Sequence, residues 1–266
     1  MTTGDSSLLL WMMAAVVALL AAYLFIGWVR RAQSQALVRH WAGLSALAGT
    51  ALGLGISSAM VLAMSAEALA FPLGYRWIAV PVLFLAPPLA CIPAAMWLSR
   101  SHKWPALLGA GLILTAAAVA THVGWLLAAG LRPGLRWNFQ LVGAAVALGL
   151  SGFTAALWLA YSDASGDGAR KTLWRVGGAV LMALTLVAGQ EVIVSAVSLL
   201  LQVGSVYQRE ASSTWLCLVA GALVPIVMAV LALDLALRNK IERRRRGSGA
   251  QVLGLRRKRR RKYRTL

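Results

Sequence analysis

The sequence contains few charged residues outside its C-terminal end. Only 13% of its 266 residues are charged, whereas 60% are hydrophobic. A soluble domain of this length would have about a quarter of its residues charged. The scarcity of charge therefore excludes an ordinary soluble domain and indicates a membrane protein.

Cysteine is equally scarce, and the familiar motifs of catalysis are missing. Cys91 and Cys217 lie far apart in apolar stretches, so they suggest neither a disulfide framework nor a Cys-x-x-Cys metal pair. We interpret both as small buried hydrophobic residues. The sequence also lacks a phosphate-binding loop, a His-Glu-x-x-His motif and a serine nucleophile elbow. We therefore expect a protein that is not an enzyme.

Long apolar stretches without charge recur along the chain. A helix needs about 20 apolar residues to cross the hydrocarbon core of a bilayer, and the short alternating segments of a membrane β-barrel are not seen. We predict an all-α membrane protein with seven transmembrane helices. The predicted spans are Leu8–Val29, Trp41–Phe71, Ile78–Leu98, Pro105–Leu131, Phe139–Tyr161, Leu173–Leu201 and Trp215–Leu237.

Basic residues are distributed unevenly between the two sets of connecting segments. With the N-terminus outside, the inside segments contain twenty-two Lys and Arg residues and the outside segments contain four. Without the C-terminal tail the ratio is still eight to four. Because cytoplasmic loops carry an excess of Lys and Arg, we predict an N-out, C-in topology. Asp5 before the first helix and Arg30-Arg31 after it indicate an uncleaved anchor.

The middle of the chain contains an internal repeat. The segment from Ala94 resembles the segment from Ala155: each has an Ala-Ala-x-Trp-Leu helix end, a polar loop with Lys and Trp, and a helix with an unusual dipeptide. A weaker copy lies earlier. The dipeptides of the three copies are Ala59-Met60, Thr121-His122 and Gln190-Glu191. We expect three pseudo-repeated helix pairs after the first helix, arranged around a shared central site.

Three predicted spans carry their least ordinary side chains at similar depth. Met60, His122 and Glu191 lie roughly 16 to 20 residues from the inner ends of their spans, which places them in the outer half of the bilayer at about 1.5 Å per residue. A carboxylate at that depth is costly unless it is protonated, paired or metal-bound. A contact between His122 and Glu191 would satisfy both groups. Simple core packing of the methionines and a structural role for His122 are the alternatives.

The second span adds further candidates. Met60, Met64 and Glu67 are spaced i, i+4, i+7 and share one helical face. Two thioethers with His122 would form a soft site suited to Cu(I), and a carboxylate would shift the preference to harder metals. The candidate metal ligands are Met60, Met64, His122 and Glu191, with Glu67 and Gln190 as further polar residues of the site.

At these residues the sequence resembles the MHYT-domain family of bacterial integral membrane sensors, whose motif is Met-His-Tyr-x-x-Met near the outer ends of three helices. "GISSAMVLAMSAEALAFPLGY" is similar to the first copy, with Val61 in place of histidine. "AAAVATHVGWLLAAGLRPG" is similar to the second and keeps His122, and "ALTLVAGQEVIVSAVSLL" has Gln190-Glu191 in place of Met-His. The resemblance implies a seven-helix fold in the bacterial inner membrane, copper binding and gas sensing.

The C-terminal end is strongly basic. From Arg238 onward it contains fourteen Lys and Arg residues and one acid, Glu242, and so contributes +13 of the net charge of +18. Beside a span, such a tail attracts anionic lipids at about 1 kcal/mol per basic residue near the surface. It could fix the orientation or dock a cytoplasmic partner with an acidic face, and we expect no specific nucleic-acid binding. The expected lipid-binding residues are Arg243, Arg244, Arg245, Arg246, Arg256, Arg257, Lys258, Arg259, Arg260, Arg261 and Lys262.

Three parts of the chain follow from these patterns: an anchor helix and first loop over residues 1–40, an MHYT-like region over 41–237, and the polybasic tail over 238–266. The leading hypothesis is a non-enzymatic sensory or accessory protein that binds copper or a small ligand. A proton-coupled transporter that uses His122 and Glu191 is one alternative. A structural subunit of a membrane complex, with a vestigial site, is the other.

Overall fold

The computed structural model describes residues 3–35, 37–66, 74–132, 135–161, 168–199, 204–205, 207 and 211–241. Seven of its helices are long and apolar enough to cross a membrane. The protein is therefore a multi-pass integral membrane protein, and the prediction of seven spans is confirmed. The helices are α1 (Thr3–Gln33), α2 (Val38–Ala66), α3 (Ala79–Arg100), α4 (Trp104–Ala128), α5 (Phe139–Tyr161), α6 (Gly168–Ser195) and α7 (Ser213–Ile241), the last with a π-helical turn at Val219–Leu223.

Among the described residues, six short strands lie in the connections that follow α2, α4 and α6. The pairs are all antiparallel, β1 with β6, β2 with β5 and β3 with β4. The α6–α7 connection therefore pairs with both of the other connections and brings the three together at one end of the helices, the strand end. The strands are β1 (Gly74–Tyr75), β2 (Leu131–Arg132), β3 (Leu135–Trp137), β4 (Val197–Leu199), β5 (Gly204–Ser205) and β6 (Ala211–Ser212).

The fourth and sixth spans end earlier than predicted. The prediction that the fourth span continues to Leu131 is wrong, because α4 stops at Ala128 and Gly130 adopts a positive φ of 57° before β2 begins. The prediction that the sixth span reaches Leu201 is also wrong. There α6 ends at Ser195, and Val197–Leu199 forms β4 instead. An apolar run of this kind has the same hydropathy in a helix and in a strand.

The fifth and second spans also compare with their predicted bounds. The fifth predicted span, Phe139–Tyr161, begins and ends at the same residues as α5. The second span was predicted to reach Phe71, whereas α2 ends at Ala66 and residues 67–73 lie outside the described part of the chain.

Within residues 1–228, which form one compact unit, six helices pack in a closed ring. Each helix contacts the next in sequence, and α1 contacts α6 to close the ring. The even-numbered helices α2, α4 and α6 also contact one another across the centre. In α2, 83% of the most apolar stretch is buried, against 33% in α3 and in α5. The repeat-bearing helices therefore meet at the centre of the ring, with α2 the most enclosed.

Small residues let α2 pack closely between its neighbours. A Cβ atom on Gly53 would lie 2.1 Å from the backbone nitrogen of Pro88 in α3, and one on Gly55 would lie 2.2 Å from Cβ of Ala21 in α1. The two glycines therefore face different helices. Close backbone approach of this kind is the usual reason for glycine in transmembrane packing.

A serine repairs the hydrogen-bond pattern of α3. Because Pro87 has no N–H, it cannot donate to the carbonyl of Leu83, four residues earlier. The Ser57 hydroxyl of α2 donates to that carbonyl at 2.7 Å. Neighbouring helices commonly satisfy backbone groups that proline frees in a membrane, and the bond ties α2 to α3.

Residues 229–266 form a second compact unit, of which the structure describes the end of α7. The Arg238 Nε donates to both carboxylate oxygens of Asp234 at 2.8 Å. This pair, spaced i, i+4, accounts for the acidic residue near the end of a transmembrane helix.

Candidate functional site

Four of the predicted site residues lie near the strand end of the central helices. Met60 and His122 are each six residues before the last residue of their helix, and Gln190 and Glu191 are five and four residues before the end of α6. At about 1.5 Å per residue, the four lie roughly 6 to 9 Å from the helix ends. The three central helices thus carry these side chains at similar depth.

The rotation of α6 separates the two members of its dipeptide. Gln190 is only 2% exposed, on the side of the helix that carries the buried Leu186 and Ile193. Glu191 is exposed. It lies on the same outward face of α6 as Leu184, which is 59% exposed. The predicted partners therefore differ in surroundings: His122 is buried, at 3% exposure, and Glu191 is at the surface of the bundle.

His122 is held by its own helix. Its Nδ1 is hydrogen-bonded to the carbonyl oxygen of Ala118, one turn earlier. A carbonyl only accepts, so Nδ1 carries the proton and Nε2 keeps a lone pair. Histidines that bind a metal commonly donate their other ring N–H to a backbone carbonyl in this way. The ring therefore has the tautomer that a ligand-binding imidazole needs.

His122 also lines a small cavity between α4, α5 and α6. The cavity has a volume of about 10 Å³, which is close to the smallest space that holds one water molecule. Its other polar lining groups, the hydroxyls of Thr115 and Thr185, already donate to carbonyls of their own helices at 2.7 and 2.8 Å. The lining residues in the described chain are Thr115, Ala118, Val119, His122, Ala145, Gly149, Phe153, Thr185, Leu186, Gly189 and Ile193. Its size limits a guest to a single ion or one water-sized molecule.

A second cluster adjoins His122 on the side of α2 and α3. The hydroxyl of Tyr75, in β1, donates to the sulfur of Met64 at 3.9 Å. The Tyr75 ring packs edge-to-face on Trp125, with centroids 5.3 Å apart, and Phe84 contacts the same indole at 5.5 Å. Trp125 follows His122 by one turn of α4. A chain of contacts therefore runs from Met64 through Tyr75 to the part of α4 that carries His122.

Tyr75 stays neutral in this environment. Burial raises the pKa of its hydroxyl above the ordinary tyrosine value, and the nearby Cys217 thiol acts in the same direction. The hydroxyl therefore stays protonated well above neutral pH and donates to the Met64 sulfur, which is a weak acceptor.

The predicted metal ligands do not share one cavity. Met60 and Met64 are buried, at 0% and 5% exposure, but neither belongs to the lining of the His122 cavity. Within the described residues, no group of three or more His, Cys, Asp and Glu could hold a metal ion. The described lining of the cavity therefore offers a metal the imidazole of His122 and two threonine hydroxyls, and neither a thioether nor a carboxylate.

Several predicted residues lie outside the described part of the chain. Glu67 follows the end of α2, and the tail residues 243–246 and 256–262 follow α7. Their predicted roles in a polar site and in lipid binding stay predictions.

The sequence did not point to the contribution of α5 or of β1. Ala145, Gly149 and Phe153 line the cavity, yet an alanine, a glycine and a phenylalanine are ordinary residues in a transmembrane helix. Their spacing of four residues places them on one helical face, which is the only signal available. Tyr75 could have been noticed as a tyrosine close to the methionine-bearing span, but nothing local predicts its contact with Met64.

Comparison with known proteins gives no relative: no family model matches the chain, and no curated protein and no solved structure matches it either. The arguments on function therefore depend on this chain alone.

Proposed function

We propose that the protein is a non-enzymatic sensory or accessory protein of the bacterial inner membrane, which binds a single metal ion or a very small ligand at His122. Such a protein would be a degenerate relative of the MHYT sensors. Copper(I) is the metal we propose, because imidazole is a copper donor and the thioethers of Met60 and Met64, which lie outside the cavity lining, are at the same end of the bundle.

One observation carries this proposal. His122 lies on a cavity of about 10 Å³ whose other polar groups, two threonine hydroxyls, are bonded to their own helices, and its Nδ1 is occupied by a backbone carbonyl. An ionisable ring buried inside a membrane bundle is costly and is by default a functional candidate. The small volume supports a guest of one atom or ion and argues against a larger substrate.

The surrounding residues supply the rest of the site in this proposal. Met64 is positioned by Tyr75, and Tyr75 in turn packs on Trp125, one turn from His122. Gln190 is buried, and its Nε2 has no hydrogen-bond partner among the described residues. An amide N–H at this depth favours an acceptor nearby, so Gln190 would bond to a ligand that carries oxygen.

We also propose that the strand end faces the outside of the membrane. The strand-free ends of the ring carry more of the Lys and Arg residues, such as Arg30, Arg100 and Lys103. Excess basic residues on the cytoplasmic side support this orientation. The site would then lie in the outer half of the bilayer and report on the extracytoplasmic space.

The test is a competition titration of copper(I) between the purified full-length protein and a chromophoric copper(I) chelator. We expect His122→Ala to weaken binding by at least about tenfold, because losing even a residue that orients a ligand costs that much. Met64→Leu keeps the volume and removes the sulfur, so it should also weaken binding.

The matched control is His40→Ala, which removes an exposed histidine from the first turn of α2. We expect this variant to bind as the wild type does. Equal affinity of all three variants would contradict a site at His122. In that case a structural subunit with a vestigial site becomes the better account, and flux into proteoliposomes with Glu191→Gln would test the transporter alternative.

A further inference from the structure

A larger cavity lies at the strand-free end of the helices. His122 lies near the opposite end of the bundle. Its volume is about 430 Å³, within the range of ordinary small-molecule sites. It lies between the α3–α4 connection and the last turn of α5. The lining residues in the described chain are His102, Lys103, Trp104, Leu107, Trp158 and Tyr161.

The lining of this cavity combines positive charge with aromatic rings. Lys103 is the residue directly before α4, and its ammonium group is a donor for anionic oxygens. Trp104 and Trp158 are 58% and 47% exposed. Half-exposed tryptophans at the end of a transmembrane helix are suited to the headgroup region of a bilayer. The described lining contains no carboxylate that would neutralise Lys103.

Tyr161 lines the same cavity with its ring and not with its hydroxyl. The hydroxyl oxygen is enclosed by protein and has no hydrogen-bond partner among the described residues. Tyr161 therefore contributes an aromatic wall to the cavity.

Two arginines increase the positive potential behind Tyr161. The Arg30 guanidinium lies 5.6 Å from the centre of the Tyr161 ring and donates to the carbonyl of Ala160. Arg175 is close enough to repel Arg30 electrostatically. In the part of the chain that the structure describes, neither arginine forms an ion pair with a carboxylate. Two cations of this kind at the end of a transmembrane bundle favour an anion nearby.

We propose that this cavity binds a phosphate group, supplied by the headgroup of an anionic phospholipid or by a free phosphate compound. Lys103 binds the phosphate oxygens, the positive potential of the two arginines adds to its attraction, and the two tryptophans flank the acyl-chain side. Basic pockets between transmembrane helices bind lipid headgroups in this manner. The site is separate from the basic tail, whose attraction to lipid is diffuse and screened by salt.

The test uses native mass spectrometry of the full-length protein, released from a neutral detergent at high ionic strength with added phosphatidylglycerol. We expect Lys103→Gln to weaken the tightest-bound lipid about tenfold, because it removes a hydrogen bond between two charged groups. Tyr161→Phe keeps the ring beneath Arg30 and removes only the enclosed hydroxyl, so its affinity should stay within about twofold of wild type. Arg136→Gln removes an exposed arginine outside the tail that does not line the cavity, and it should also stay within about twofold.

Added inorganic phosphate distinguishes the two sources. If it displaces the lipid, the cavity recognises free phosphate compounds; if it does not, the acyl chains contribute and the ligand is a phospholipid. The proposal is overturned if Lys103→Gln melts as the wild type does and binds the lipid with the affinity of Arg136→Gln.

Discussion

The contact between α2 and α3 offers the sharpest prediction on stability. At Gly53 an added Cβ would lie 2.1 Å from the backbone nitrogen of Pro88 and 2.4 Å from the carbonyl carbon of Pro87. These atoms belong to the backbone and cannot rotate away. Gly53→Ala must therefore separate the two helices locally by about 1.3 Å to reach an ordinary contact of 3.4 Å.

The cost follows from this separation. Inserting a methyl group into a well-packed interior costs about 1 to 3 kcal/mol, and the displacement also strains the bond from Ser57 to Leu83, one turn further along α2. Alanine itself favours a helix over glycine by roughly 0.5 to 1 kcal/mol. An added Cβ on Gly43, in the same helix, would have no atom within 4 Å. Gly43→Ala therefore measures the helix preference of alanine over glycine alone. Because this gain is common to both variants, they should differ by the packing cost alone, about 1 to 3 kcal/mol.

The assay is unfolding by sodium dodecyl sulfate in mixed micelles, followed by helical circular dichroism. We expect Gly53→Ala to unfold at a lower mole fraction of detergent than wild type, and Gly43→Ala at an equal or higher one. The reasoning on helix packing is refuted if both variants unfold at the same detergent fraction.

Three further predictions concern single side chains. Ser57→Ala leaves the carbonyl of Leu83 without its donor, so the same titration should show a loss of about 1 to 3 kcal/mol. Because burial raises the pKa of Tyr75, the stability from its neutral hydroxyl is fully present below about pH 10, the unfolded value, and is lost as the pH rises further. The melting temperature of wild type should therefore fall more steeply at alkaline pH than that of Tyr75→Phe, and equal slopes would contradict this. Asp234→Asn breaks an exposed pair with Arg238 and should change the free energy of unfolding by no more than about 0.5 kcal/mol.

The helices could be predicted from the sequence because a charge-free run of sufficient length has few alternatives. The fifth span, Phe139–Tyr161, is bounded by polar residues and has the ends of α5. Where apolar residues continue past the end of a helix, hydropathy predicts a helix that is too long. Val197 to Leu199 form a strand because β3 is available to pair with them. Strand pairing between distant connections is a long-range property that no local pattern contains.

The depth of the candidate site could also be predicted, but its orientation could not. Counting residues places His122 and Glu191 near one end of their helices. Which of two neighbours faces inward depends on the rotation of α6 against α1 and α5, since successive residues differ by about 100° around a helix. The packing buries Gln190 and exposes Glu191, a difference of one position that the sequence pattern does not encode.

The most direct test of the account is the metal content of the purified full-length protein after growth with copper, measured by mass spectrometry. Wild type and His40→Ala should contain close to one copper per chain, and His122→Ala should contain almost none. Circular dichroism should confirm that all three proteins are folded. A folded, copper-supplied wild type without metal, or a His122→Ala variant with as much copper as wild type, would contradict a copper site at His122.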